Sequence, residues 1–181
     1  MAMITKIRLQ NWKSFKDSTI YIDSLGILIG TNASGKSNVL DAFAFLRAVG
    51  EGKSLLDAIQ TVRGGEDWII RRGEDSFCIE IEIEIDGSSY LLDLRVIKRN
   101  SVFSFGSCEI HRLGIEDDDF VPGKFIDSAR NITWEMYDVP IILDFWSKIY
   151  ATFRNIIILD PVPAKMRDYC KISKELKSDG S

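Results

Sequence analysis

The chain has 181 residues, 45% hydrophobic and 28% charged, with a formal net charge of −4. That length sustains one domain with a sizeable core, and no apolar run approaches the about 20 residues of a membrane helix. The negative balance excludes a dominant basic surface for nucleic acid and leaves room only for local patches. The opening Met1-Ala2-Met3-Ile4-Thr5-Lys6 has no signal-peptide pattern. Cys78, Cys108 and Cys170 are far apart and in no C-x-x-C spacing. They read as reduced thiols of a cytoplasmic protein rather than a disulfide framework or a zinc site.

In chain order, Ile4-x-x-Ile7-x-Leu9 predicts a first strand, and Asn11 to Asp17 a polar-aromatic connection. Thr19 to Ile22 is β-rich and predicts the second strand of a hairpin-like pair. Leu25 to Ile29 is an unbroken apolar run, as expected of a strand buried on both faces. From Lys36 to Val49, Val39, Leu40, Phe43, Leu46 and Val49 recur at helical spacing, and Gly50 ends the pattern. Ser54 to Val62 predicts a shorter helix with Ser54 as N-cap, broken by Gly64-Gly65. Phe77 to Ile85 alternates strictly, Asp86-Gly87-Ser88-Ser89 turns, Tyr90 to Arg99 returns and Val102 to Leu113 adds a third strand, together an antiparallel meander. Glu116 to Asp119 and Val121-Pro122-Gly123 form a loop. Asp138 to Phe153 predicts a helix, N-capped by Asp138, with Ile142, Phe145, Trp146, Ile149 and Phe153 on one apolar face. Ile156 to Leu159 predicts a second fully apolar strand, ended by Pro161 and Pro163, before a charged tail from Lys165.

Gly30-Thr31-Asn32-Ala33-Ser34-Gly35-Lys36-Ser37 fits G-x-x-x-x-G-K-[ST], between a predicted strand and a predicted helix. Glycines at 30 and 35 open backbone conformations closed to residues with a Cβ. Successive N–H groups then line one concavity for phosphates, and the N-terminus of the following helix adds its unpaired N–H groups and the positive end of its dipole. In such a loop Lys36 reaches the β- and γ-phosphates and the Ser37 hydroxyl ligates magnesium. The implied ligand is a nucleoside triphosphate, ATP with Mg2+.

Three segments resemble the RecF/SMC-like branch of the ABC ATPases. The loop, read as Gly30-x-Asn32-x-x-Gly35-Lys36-Ser37-Asn38, is similar to that branch's form. Ile7-x-Leu9-x-Asn11-Trp12-Lys13-Ser14-Phe15 resembles its opening strand and N-F-[RK]-S-[FY] turn, with Trp12 where Phe is usual. Ile69-Ile70-Arg71-Arg72-Gly73-Glu74 resembles the I-R-x-G segment that leads into its antiparallel lobe. The resemblance covers about the first half of the chain, and within the branch it is closest to bacterial ATPases of the phage-defence type. It implies a P-loop α/β fold of the ABC type, a mixed sheet with parallel core strands, an antiparallel meander and flanking helices. As one lobe over 1–181, it would comprise a strand pair, P-loop and helices (1–62), an antiparallel sheet (66–113) and a loop, helix, strand and tail (114–181). It also implies that Asn32, Ala33, Ser34, Gly35, Lys36, Ser37 and Asn38 hold phosphates, with Lys13, Ser14 and Phe15 near the nucleotide.

In that family a second lobe carries an L-S-x-G signature helix and an Asp-Glu pair, and two heads sandwich two ATP molecules. The expectation here is that the second lobe is supplied from outside these residues. Leu176-Lys177-Ser178-Asp179-Gly180 is a poor imitation of the signature, and no apolar strand ends in Asp-Glu. The implied partners are a second lobe and a second head, with DNA as a further candidate and no membrane.

Other candidates are weighed against plainer roles. Ile156 to Asp160 has the form of a strand ending in a magnesium-organising aspartate, but Pro161 stands where that family has its catalytic glutamate, so a core strand ending in a turn is the preferred reading. Glu80, Glu82 and Glu84 share one strand face about 6–7 Å apart, which suits a solvated face paired with Arg95 and Lys98. Asp117 to Asp119 lack the spacing of a calcium loop. His111 has no ligand or base partner in motif spacing and reads as a sheet residue. Arg71 and Arg72 suit either phosphate or DNA, or pairing with Glu74 and Asp75. Three functions stay open: the ATP-binding lobe of a RecF/SMC-like ATPase in DNA repair or phage defence, an ATP-sensing module gating a partner nuclease or toxin, and a self-contained phosphotransferase using Asp160.

Overall fold

The computed structural model describes residues 2–23, 26–114, 124–128, 131–135 and 140–158. A five-stranded antiparallel sheet forms the base, in the order β2-β1-β3-β4-β5. Its strands are β1 (Ala2–Gln10), β2 (Asp17–Tyr21), β3 (Ser76–Ile85), β4 (Ser88–Arg99) and β5 (Val102–Arg112). The expected β1–β2 pair and the β3-β4-β5 meander therefore belong to one sheet, joined where β1 pairs with β3. The spacing of Ile4, Ile7 and Leu9, odd for a strand, has its cause in that pairing. A bulge between Ile4 and Lys6 shifts the register, so that all three side chains are buried. A second register shift sets Arg95 opposite Ser107 and Val96 opposite Phe105, leaving Gly106 unpaired in β5.

Helix α1 (Lys36–Gly50) lays Phe45, Leu46 and Val49 on the core formed with Ile7, Leu9, Phe77, Ile79, Ile81, Leu92 and Leu94. Helix α2 (Leu55–Gln60) is N-capped as expected, Ser54 Oγ accepting from the Asp57 N–H at 3.1 Å. Gly64-Gly65 does more than break it: Gly64, with φ 82°, starts a further helical turn, α3 (Gly65–Trp68). Strands β6 (Lys124–Ser128) and β7 (Asn131–Glu135), which the sequence reading did not anticipate, form a separate hairpin. Helix α4 (Pro140–Arg154) buries the expected stripe Phe145, Trp146, Ile149 and Phe153. It crosses α1 so closely that a Cβ on Gly50 would stand 2.6 Å from the Phe153 Cβ. Asp138, its expected cap, and the charged tail lie outside the described residues.

The expected parallel core is not present among the described residues. Residues 26–30 form no strand, and Ile27 and Ile29 are 73% and 90% exposed. Residues 156–158 also form no strand, with Ile157 82% exposed. An unbroken apolar run marks a segment fit for burial on both faces, but a strand exists only when a neighbour takes its N–H and C=O groups.

Candidate functional site

Three segments converge on the N-terminus of α1. The first is the phosphate loop itself. Ala33 and Gly35 take left-handed backbone with φ of 66° and 91°. Gly35 occupies the N-cap position, and no side chain caps the helix. The Asn38 and Val39 N–H groups turn back to the Gly35 carbonyl at 2.9 and 3.1 Å, which leaves those of Lys36 and Ser37 at the helix start for a ligand, the arrangement that attracts phosphate. Lys36 Nζ arches over the loop and donates to the carbonyls of Gly30 at 2.6 Å and Thr31 at 2.7 Å, with Ser34 Oγ 3.2 Å away. A Cβ at Gly30 would lie 2.6 Å from Ser34 Oγ and 3.3 Å from its Cβ, so a side chain there would have to turn Ser34 aside. Asn32, Ser34 and Ser37 are exposed. These residues fit a magnesium nucleotide: donors for the phosphates, a cation among them, and a free-facing hydroxyl for the metal.

The second segment is the turn after β1. Asn11 and Lys13 have φ of 52° and 51°. The turn is closed by Phe15 N–H to Trp12 O at 2.8 Å and Asn11 N–H to Lys16 O at 2.9 Å. It is fastened to α1 by Asn38 Nδ2 donating to Ser14 Oγ and Trp12 Nε1 donating to Asn38 O, each at 2.7 Å. Phe15 packs its ring on Gly35. Asn38 therefore holds the turn. Lys13 points its ammonium at Asp41 and at the Arg63 carbonyl.

The third segment, the link after α2, was not anticipated. Arg63 Nε donates to Asp41 Oδ1 at 2.9 Å and its Nη2 to Ser37 O at 2.7 Å. Asp41 is the one buried polar or charged residue among the described residues, 4% exposed. Its signal in the sequence was a lone carboxylate amid Val39, Leu40, Ala42 and Phe43, on the face that goes inward.

The remaining candidates separate from this site. Glu80 and Glu82 pair with Arg8 and Lys6 of β1 rather than with Arg95 and Lys98. The cause is register: β3 lies between β1 and β4, and Arg95 stands opposite Cys78. Lys98 instead reaches the Glu66 carbonyl and lies over the Phe103 ring. Arg71 bridges to Glu74 at 3.7 Å, and Arg72 is exposed. His111 lies in β5, half-exposed, 3.5 Å from Glu109. Asp117 to Asp119 and Asp160 lie outside the described residues.

Cys78, Glu80 and Asp93 place one ligand atom each within 4.8 Å of one another. Burial, then the nearby Asp93 carboxylate, pushes the Cys78 thiol up to about 12, and the sulfur donates to Asp93 Oδ1. With Glu80 held by Arg8, this is a satisfied hydrogen-bonded cluster. An open groove lined by Gln60, Val62 and Gly64 to Asp67 carries no cation in its lining and does not suit phosphate.

A glycine-rich loop feeding an uncapped helix, with its lysine over the cradle, defines a P-loop nucleotide-binding domain. Residues 3–177 match the AAA ATPase domain family, and the chain belongs to it. It is similar to the DNA double-strand break repair Rad50 ATPase of Sulfolobus acidocaldarius, 29% identical over 175 residues, covering 96% of this chain and 17% of that protein. The corresponding protein of Thermoplasma volcanium is 26% identical, with 97% of this chain and 22% of the relative covered. A chromosome partition protein Smc from Methanococcus voltae is 41% identical over 56 residues, 30% of this chain and 5% of that protein. The chain thus spans less than a quarter of the length of these relatives. Among the described residues no helix is long and apolar enough to cross a membrane.

Proposed function

We propose that this chain is the Mg-ATP-binding lobe of a Rad50/SMC-like ATPase head and that it turns ATP over only when a second lobe completes it. The observation that carries the reading is the Gly30–Ser37 cradle on the uncapped end of α1, with Lys36 arched over it and Phe15 seated on Gly35. Asn32 to Asn38 would bind phosphates by backbone N–H groups, Lys36 would balance their charge, and Ser37 would hold Mg2+. Lys13, Ser14 and Phe15 form the adjacent wall. No strand ending in Asp-Glu is found in the sequence, so the group that activates water would come from elsewhere.

Exposed Ile27, Leu28, Ile29 and Ile157 support the second lobe. Exposed apolar segments that belong to no strand are suited to pairing with strands added from a partner. Two such heads would close on two nucleotides, and the double-strand break repair role of the Rad50 relatives points to DNA breaks as the setting. The test is equilibrium binding of a fluorescent ATP analogue with Mg2+. Wild type binds and Lys36→Ala does not. Absence of binding by wild type sinks the reading, and multiple-turnover hydrolysis by the chain alone, abolished in Lys36→Ala, sinks its binding-only part.

A further inference from the structure

Lys13, Asp41 and Arg63 form a closed ring drawn from three separate segments. Lys13 Nζ donates to Asp41 Oδ2 and, at 2.8 Å, to the carbonyl of Arg63. Arg63 Nε donates to Asp41 Oδ1 at 2.9 Å. One buried carboxylate thus organises two cations, and the Lys13 side chain is itself nearly buried. A buried charge persists only with such partners, and it fixes their geometry in return.

The ring reaches the phosphate loop through Arg63. Its Nη2 donates to the carbonyl of Ser37, so one guanidinium grips Ser37 and Asp41, four residues apart on α1. Lys13 is the neighbour of Ser14, which holds Asn38, and of Trp12, whose indole N–H also reaches Asn38. Both walls of the loop are therefore referred to one carboxylate.

We propose that Asp41 and Arg63 are positioning residues of the nucleotide site: Asp41 orients Arg63, and Arg63 sets the Ser37 backbone from which the metal-binding hydroxyl projects. The inference rests on the Mg-ATP reading above. Arg63 also leaves positive charge beside an uncapped helix N-terminus, where it favours a polyanion. The Arg63 side chain is 54% exposed, so its removal spares the core, and Asp41 keeps Lys13.

The test compares Mg-ATP affinity and thermal unfolding for wild type, Lys36→Ala, Arg63→Met, Arg63→Lys, Asp41→Asn and the Asp41→Asn/Arg63→Met pair in the full chain. Arg63→Met should weaken Mg-ATP binding about 10- to 100-fold, the usual effect of losing a group that orients a ligand residue, while the protein stays folded with a modestly lower melting temperature, because Lys13 still pairs with the buried Asp41. Arg63→Lys should recover part of the loss. The double variant should bind no more weakly than Asp41→Asn alone, because both substitutions break one linkage. Wild-type affinity in Arg63→Met, or additive losses in the pair, overturns the inference while the Mg-ATP reading stands. If Asp41→Asn does not fold, the two Arg63 variants decide alone. Wild type that binds no better than Lys36→Ala overturns both readings.

Discussion

The Phe15 ring rests on Gly35: a Cβ at Gly35 would lie 2.8 Å from both Cε1 and Cζ of that ring. The contact joins the turn after β1 to the loop that would hold phosphates, and it requires glycine twice over. Gly35 has φ of 91°, outside the range that L side chains adopt readily. Gly35→Ala should therefore destabilise the fold by about 1–3 kcal/mol from backbone strain alone, and should also displace Phe15. Phe15→Leu introduced into Gly35→Ala should relieve the ring clash and leave the backbone cost. Urea denaturation of wild type and the two variants separates the two contributions, and full recovery in the double variant would show that strain at Gly35 is negligible.

Trp12 is fully buried and meets Phe45 and Phe77 at centroid distances of 5.9 and 5.0 Å. It differs from a phenylalanine at this position in one respect that matters, the indole N–H on Asn38 O. Trp12→Phe should keep the aromatic cluster and lose about 0.5–1.5 kcal/mol for the hydrogen bond, plus a smaller packing loss. Trp12→Ala should cost about 3–5 kcal/mol. Equal denaturation midpoints for wild type and Trp12→Phe would show that the bond to Asn38 contributes nothing.

What the sequence made readable follows from the range of each interaction. The phosphate loop was readable because its chemistry sits in eight consecutive residues. The meander was readable because Ile79, Ile81 and Ile83 alternate with Glu80, Glu82 and Glu84, and a period of two needs no distant partner to be recognised. Pairing β1 with β3 was not readable, since it joins residues such as Ile7 and Ile81 and nothing local encodes it. The Leu25–Ile29 run shows the opposite failure: its apolar character predicts burial, yet the described residues 26–30 lack the neighbours that would make a strand. Arg63 escaped notice for the same reason as β1–β3, because Ser37 and Asp41 are 26 and 22 positions away.

Cys78 faces Asp93 in a buried setting that holds its thiol protonated, with its pKa pushed up to about 12. At about pH 8 only about one in ten thousand such thiols is ionised, and the thiolate is the reactive form. Iodoacetamide should leave Cys78 of the folded protein unmodified while alkylating it readily in urea. Peptide mass spectrometry resolves it from Cys108 and Cys170. Equal labelling of Cys78 with and without urea would contradict the burial and the bond to Asp93.

Asp86 and Lys148 tie the β3–β4 turn to α4 with an N–O distance of 2.8 Å, and Lys148 also reaches Asp144 at 2.6 Å. Lys148 is the first cause that holds the Asp86 carboxyl down at about 2, below its ordinary 3.8. A depressed folded-state pKa means that the unfolded chain binds the proton more tightly, so acid favours unfolding. The contribution is fully present above the unfolded value, near pH 4 and higher, and fades as the pH falls through about 2. Both groups are solvent-facing, so the effect is modest and sensitive to salt. Lys148→Met should lower the melting temperature at about pH 6, and the gap from wild type should close as the pH approaches about 2. The same gap should narrow in about 1 M NaCl at the higher pH. A gap that is constant with pH and salt would mean that Lys148 acts through the packing of its alkyl stem on the turn and not through the charge on Asp86.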